Sequence, residues 1–217
     1  MAVRTERPAA PVSVERICRA ALALIDEKGT DAFTLERLAA RLGVRAPSLY
    51  NHVGSKAEII EGVRDLVVAE MDYSMFATEP WDEALVRYAR SYRSAFAAHP
   101  RTVALLFMTP VRAAGTYTMY EVVARALSAA GWPDPLLIPV LSSVEYLIAG
   151  SLLDRSALGD MLGGATTLGA PTLARGLSSA ATQVEGADRA FEFALSGLIS
   201  GLRAEFAGVG DGGPTEC

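Results

Sequence analysis

Cysteine and histidine are scarce in this 217-residue chain: two of each. Cys18 falls on the apolar side of a helical pattern and Cys217 is the last residue, so a structural disulfide is not expected and a reducing cytoplasm fits. His52 and His99 stand beside no serine or cysteine motif. No GxSxG, HExxH or glycine-rich phosphate loop occurs, which leaves catalysis without support; no enzyme, cofactor or metal site is expected. Long period-2 alternation and β-branched runs are also missing, so no sheet is expected. The first residues, MAVRTERPAAPVS, lack an apolar signal core, and no apolar run reads as long enough to cross a bilayer.

Alanine, leucine and arginine dominate, and 51% of residues are hydrophobic, enough for a sizeable core. The composition and periodicity give an all-α chain. The net charge of −5 is unevenly spread. Residues 1–56 carry nine Lys/Arg against six Asp/Glu, a net of +3; the rest carries eleven against nineteen, a net of −8. A basic head on an acidic body points to a polyanionic partner at one end.

Residues 1–12 read as a flexible arm. Ser13 caps a first helix with Val14, Ile17, Cys18, Ala21, Leu22 and Ile25 at helical spacing, stopped at Lys28-Gly29. Thr34 caps a second, carrying Leu35, Leu38, Ala39 and Leu42 and ending at Gly43. A third covers about 45–52, with Pro47 tolerated in its first turn, and Ser55 caps a fourth through Ile59, Ile60, Val63, Leu66, Val67 and Met71. Further helices are expected at about 81–98, 100–109, 113–130 and 136–158, a flexible connection at 159–185, and a last helix from about Ala187 to Phe206. Domains follow as an arm (1–12), a reading head (13–60), a body (61–208) and a disordered tail (209–217).

Two short helices joined by a glycine turn make a helix-turn-helix, whose second helix fits the major groove of DNA. Leu38, Ala39, Val44 and Leu49 face inward in this reading, leaving Arg45, Ser48, Tyr50 and Asn51 outward. Thr34 and Lys56, at two helix starts, are placed to meet phosphates. The stretch TLERLAARLGVRAPSLYNHVGSKAEII resembles the DNA-binding signature of the TetR family of bacterial transcriptional regulators, matching at Thr34, Leu38, Ala39, Gly43, Val44, Leu49, Tyr50, His52, Lys56 and Ile59-Ile60. The likeness covers about residues 13–65, with Ala46-Pro47 as a departure. It implies phosphate contacts by Tyr50 and Lys56 and base contacts by Arg45 and Ser48, on a surface that includes Thr34, Ala46, Pro47 and Asn51. His52 reads as structural, beside the first helix.

The resemblance further implies a helical body that binds a small molecule and dimerises, with double-stranded operator DNA as partner and a cytoplasmic location. Residues 88–132 resemble the tetracycline repressor subgroup more loosely, and LLFMTPV holds no histidine where that subgroup grips a metal-bound drug. What remains is an apolar, aromatic lining of Tyr88, Tyr92, Phe96, Phe107, Met108, Met119, Tyr120, Trp132 and Tyr146, which suggests a hydrophobic or aromatic effector. Glu145 and Asp154, on an apolar helix, need partners in a pocket, an interface or an exposed salt bridge. Leu195, Gly197, Leu198, Gly201 and Leu202 suggest a close helix–helix dimer seam in which the last helix and that at 136–158 form a four-helix interface. The expected function is a repressor released from a palindromic operator by such an effector; the alternative is a helical ligand- or partner-binding protein without DNA reading.

Overall fold

A computed structural model describes residues 12–154, 169–179 and 183–211. Every regular element among them is helical: α1 (Val14–Lys28), α2 (Leu35–Leu42), α3 (Ala46–Leu49), α4 (Lys56–Val68), α5 (Trp81–Ala98), α6 (Val103–Met108), α7 (Ala114–Ala130), α8 (Asp134–Asp154), α9 (Pro171–Ser179) and α10 (Gln183–Asp211), with short 3₁₀ turns at Thr30–Ala32 and Ser74–Ala77.

The head is set by its caps. Ser13 Oγ accepts from the Arg16 amide at 3.2 Å and Thr34 Oγ1 from the Arg37 amide at 3.3 Å. At Ser55, Oγ accepts from the Glu58 amide while the Glu58 carboxylate reaches back to the Gly54 amide at 2.6 Å, so two orphan donors of the α4 start are satisfied together. Gly43 closes α2 in the left-handed region (φ 73°), the conformation that turns α2 into α3. Ile17, Ala21 and Ile25 of α1 then share a core with Leu38, Leu42, Leu49, Ile59 and Val63.

In the body, α5 buries Leu85, Tyr88, Ala89, Tyr92 and Phe96; α7 contributes Met119, Val123 and Leu127, and α8 contributes Val140, Leu141, Val144 and Ile148. Helix α10 packs on α8 and α5 through Phe191, Leu195 and Ile199. Its register on α5 is fixed by Arg90–Glu192, Arg93–Asp188 and Arg203–Asp82 pairs of 2.6–2.7 Å. Trp81, Trp132 and Phe206 close the far end, each ring centroid 5.2 Å from the next.

Several expectations are revised. The third helix is one turn, Ala46–Leu49, and residues 50–52 form a turn after it. His52 is exposed, and its neighbour Val53 makes the buried contact with the head core instead, because the chain has left the helical register there. The connection expected at 159–185 contains α9: Pro171 supplies a first helical residue, a local signal that the glycine- and threonine-rich average conceals. The last helix runs from Gln183 to Asp211, overrunning the start of the expected tail, since Phe206 anchors its final turns on the two tryptophans. Residues 1–11, 155–168, 180–182 and 212–217, which hold most of the expected arm, the end of the helix expected at 136–158 and the rest of the expected connection and tail, lie outside the described residues. One helix, Asp134–Leu153, does have the length and composition to cross a bilayer, contrary to expectation. It is an apolar packing element here, with Val140, Val144 and Ile148 buried against the body and Ile138, Tyr146 and Leu153 exposed. Helix α4 runs unbroken through the boundary expected at 60/61 and packs most extensively on α1, with further contacts to α7 and α5.

Candidate DNA-reading head and effector-binding cluster

Arg45 is the N-cap residue of α3 and is exposed; Pro47, Tyr50 and Asn51 are exposed, with Tyr50 54% accessible, while Ala46 and Ser48 are half-buried. Leu49 is the residue that seats this turn in the core. Thr34 spends its hydroxyl on the α2 cap, so what faces outward there is the helix N-terminus with its remaining amides. Lys56 is the first residue of α4 and exposed, its ammonium 4.7 Å from the centre of the Phe33 ring. That contact holds the side chain over the α2 start without neutralising it. Arg41 is tied to Glu27 by two hydrogen bonds of 2.6 and 2.7 Å, and that pairing holds the Glu27 carboxyl below its ordinary value. Among the described residues, Arg37 in the first turn of α2, Arg45 at the start of α3 and Lys56 at the start of α4 have no ion-pair partner.

Of the residues expected to line an effector site, seven come together. Tyr92 and Phe107 stack at 6.3 Å; Phe96 meets Phe107 at 5.4 Å and Tyr92 at 4.8 Å; Tyr88 meets Tyr92 edge-on at 5.8 Å and donates its hydroxyl to Met119 Sδ at 3.6 Å. Tyr120 donates to Glu145 and lies in hydrogen-bonding reach of Tyr92. Burial pushes the Glu145 carboxyl up, an effect only partly offset by the Tyr120 hydrogen bond and the charge of Arg64. Tyr88, Tyr92, Phe96 and Met119 are buried, whereas Phe107, Tyr120 and Glu145 are partly accessible and form the outer edge of the cluster.

Three expected lining residues lie elsewhere. Met108 (86% exposed) and Tyr146 (76% exposed) each follow a cluster residue by one position, and one position is about 100° around a helix. Trp132 is buried in the separate Trp81–Phe206 group. The side chain of Asp154 lies outside the described residues. Sequence reasoning missed Phe76, edge-on to Tyr88 at 5.6 Å, and Arg64. An arginine at 64, three residues after Glu61 on a helix whose neighbours Val63 and Val67 are apolar, was the available signal.

Arg64 is buried and joins the cluster to the head. Its Nη2 donates to the Thr109 carbonyl at 2.8 Å at the end of α6, and its guanidinium lies 3.4 Å from Glu61, which also accepts from the Arg112 amide at 2.6 Å. Asp65, beside it, faces the first amides of α7 at Gly115 and Thr116. A second joint lies at the other end of α1: His99 Nδ1 is 2.7 Å from Asp26 and its Nε2 is 3.4 Å from Glu70, while Arg101 donates to the Asp26 and Glu27 carbonyls at 3.1 and 2.6 Å.

In the expected dimer seam, Gly197 and Gly201 are exposed, with no atom of the described chain within 4 Å of where a Cβ would stand. Leu198 and Leu202 are half-buried at its edge. Leu195 is 1% exposed and belongs to the protomer's own core, on the opposite side of α10 from Gly197. Phe193, 84% exposed, takes its place in line with the two glycines, and Ile138, Tyr146 and Leu153 make a matching apolar face on α8.

Residues 6–63 match the model of the bacterial regulatory proteins of the tetR family, and residues 77–206 that of the tetracycline repressor-like C-terminal domain. The chain belongs to the TetR family. It is 31% identical over 192 residues to the class A tetracycline repressor from transposon 1721 in Escherichia coli, covering 86% of this chain and 88% of the relative. Among solved structures it resembles a possible TetR-family transcriptional regulator from Streptomyces coelicolor A3(2), with a TM-score of 0.77 at 26% identity over 88% of this chain and 99% of that one. ActR from Streptomyces coelicolor in complex with actinorhodin gives a TM-score of 0.71 at 28% identity over 91% and 99%. These TetR-family relatives are transcriptional regulators, and the chain is a DNA-binding regulator with an effector-binding body.

Proposed function

We propose that this TetR-family chain is a cytoplasmic repressor that binds a palindromic operator as a homodimer and is released by a small hydrophobic or aromatic effector. The observation that carries the reading is Arg64. One buried side chain on α4 bonds to the end of α6, so the helix that seats the reading head is tied to the aromatic cluster of the body. Entry of a ligand against Phe107 displaces α6 and with it Thr109, and α4 follows through Arg64. The ligand acts by binding one head arrangement more tightly than the other.

On the DNA side, Tyr50 and Lys56 hold phosphates with Thr34's helix start, and Arg45, Ser48 and Asn51 reach base edges beside Ala46 and Pro47. The head comprises 13–60 together with the rest of α4, and the body continues to about 208. The dimer forms by packing α8 and α10 on their symmetry mates through Phe193, Gly197, Gly201, Leu198 and Leu202, which orients the two heads toward half-sites about one helical turn apart.

The test is a polarisation titration of DNA fragments flanking the chain's own gene across a salt series, with wild type and a Tyr50→Phe, Lys56→Ala variant. Sequence-selective binding that weakens in the variant, with a log–log salt slope shallower by roughly one for the lysine charge removed, supports the reading. Binding no tighter than to random DNA overturns it and leaves the body as the working part.

A further inference from the structure

The aromatic cluster holds one carboxylate, Glu145, and no cation in contact with it among the described residues. Glu145 accepts from Tyr120, and no lysine, arginine or histidine among the described residues forms an ion pair with it. Arg64, the cation whose charge reaches it, forms no ion pair with it, and its Nε and Nη2 donate to Glu61 and the Thr109 carbonyl. Around the carboxylate stand the Tyr88, Tyr92 and Tyr120 rings, whose faces attract cations and whose hydroxyls cannot neutralise a charge. A partly buried carboxylate beside stacked aromatic rings is costly to leave unpaired, and a neutral ligand leaves it so; an anionic ligand worsens it. Phe107, Tyr120 and Glu145 are the accessible edge, so the carboxylate lies where an entering molecule arrives.

We propose that the effector is an aromatic organic cation whose protonated amine is held by Glu145 among these tyrosines, with its ring system against Phe107 and Tyr92. The proposal rests on the effector-binding reading above and narrows it. The ammonium donates to the carboxylate and takes over the role of the missing counter-charge, while the rings supply area and cation–π attraction. Apolar surface alone gives affinity for many ring systems; the paired charge makes the site selective among them.

The experiment is calorimetric titration of the full-length protein with a matched pair of probes, 2-(1-naphthyl)ethylamine and 2-(1-naphthyl)ethanol, which differ at the ammonium. Wild type is expected to bind the amine at least roughly tenfold more tightly than the alcohol, and Glu145→Gln to bring the two within about threefold of each other. Helical content and melting of the variant verify folding, and the wild-type comparison decides the matter even where the variant fails to fold. Equal binding of both probes by wild type, or an undiminished preference in folded Glu145→Gln, overturns the cation site while leaving an apolar effector site in place. Binding of neither probe overturns the effector site in these helices as well.

Discussion

Gly62 stands where α4 approaches α1 most closely, and replacing it with alanine tests whether that approach sets the geometry of the head. A Cβ at position 62 would come 2.2 Å from Cys18 Sγ and 3.3 Å from Cys18 Cβ. Optimal separations for such atoms are about 3.5–4.0 Å, so the helices must part or the thiol must leave its rotamer. Overpacking of this kind costs about 1–3 kcal/mol, and the overlap places Gly62→Ala toward the upper end. Alanine recovers about 0.5–1 kcal/mol of helix propensity. A net loss of about 1–2 kcal/mol remains, equivalent to a drop of about 2–8 °C in melting temperature for a chain of this size. The assay is thermal unfolding followed by circular dichroism under reducing conditions, in a double-mutant cycle with Cys18→Ala. Removing Sγ leaves the 3.3 Å contact, which a small shift relieves, so the double variant is expected to exceed the additive value by about 1–2 kcal/mol. A neutral or stabilising Gly62→Ala, or strict additivity with Cys18→Ala, would refute the reasoning.

Three other outcomes follow from the same contacts. His99 is held above the ordinary histidine value: burial alone depresses it, and the hydrogen bonds and charges of Asp26 and Glu70 more than reverse that. A raised folded value means that its contribution is complete below about pH 6.5 and is lost as pH climbs through the raised value. Melting temperature measured between roughly pH 6 and 8 should therefore fall more in wild type than in His99→Gln, and parallel curves would remove the joint. Arg64→Met, which keeps the length but loses the bond to Thr109 and leaves Glu61 without its cation, is expected to cost about 2–3 kcal/mol in denaturant unfolding and to blunt release of DNA by any effector; unchanged release would detach Arg64 from the switch. Gly197→Arg meets open space in the protomer, so folding is expected to be preserved while sedimentation equilibrium shows a monomer and operator affinity drops at least roughly tenfold; a dimer would place the interface elsewhere.

The head was legible because its signals are local. Ser13, Thr34 and Ser55 each cap the helix that follows, and Gly43 takes the backbone conformation that few other residues tolerate, so a few adjacent residues specify each turn. His52 was misread because its place depends on where a one-turn helix stops, and a one-residue shift there moved the buried position to Val53. The aromatic cluster of the body was half legible for a related reason. Aromatic spacing on α5 found Tyr88, Tyr92 and Phe96, but spacing cannot tell which of two adjacent residues faces inward on short or uniformly apolar helices, and Phe107 against Met108 and Glu145 against Tyr146 are such pairs. Leu195, expected at a dimer seam, faces the protomer's own core for the same reason, since α10 is apolar both toward that core and toward Phe193 and Gly197.

What no local pattern could supply is the joint between head and body, because each of its bonds spans distant sequence: Arg64 to Thr109, Glu61 to Arg112, His99 to Asp26. The two sides of that joint differ in chemistry. Around Arg64, itself buried, the partners Glu61 and Thr109 are partly buried and the α6–α7 turn is held by hydrogen bonds to one guanidinium and one carboxylate, an arrangement dependent on position. Around His99 and Arg101 the contacts are charge-assisted, partly exposed and spread over the C-terminal carbonyls of α1, so they tolerate small movements and weaken with salt. In the proposed switch a displacement of α6 would reach α4 through the position-dependent Arg64 link while the contacts at the α1 end give way, so the separation of the two reading turns in the proposed dimer would change more than the fold of either head.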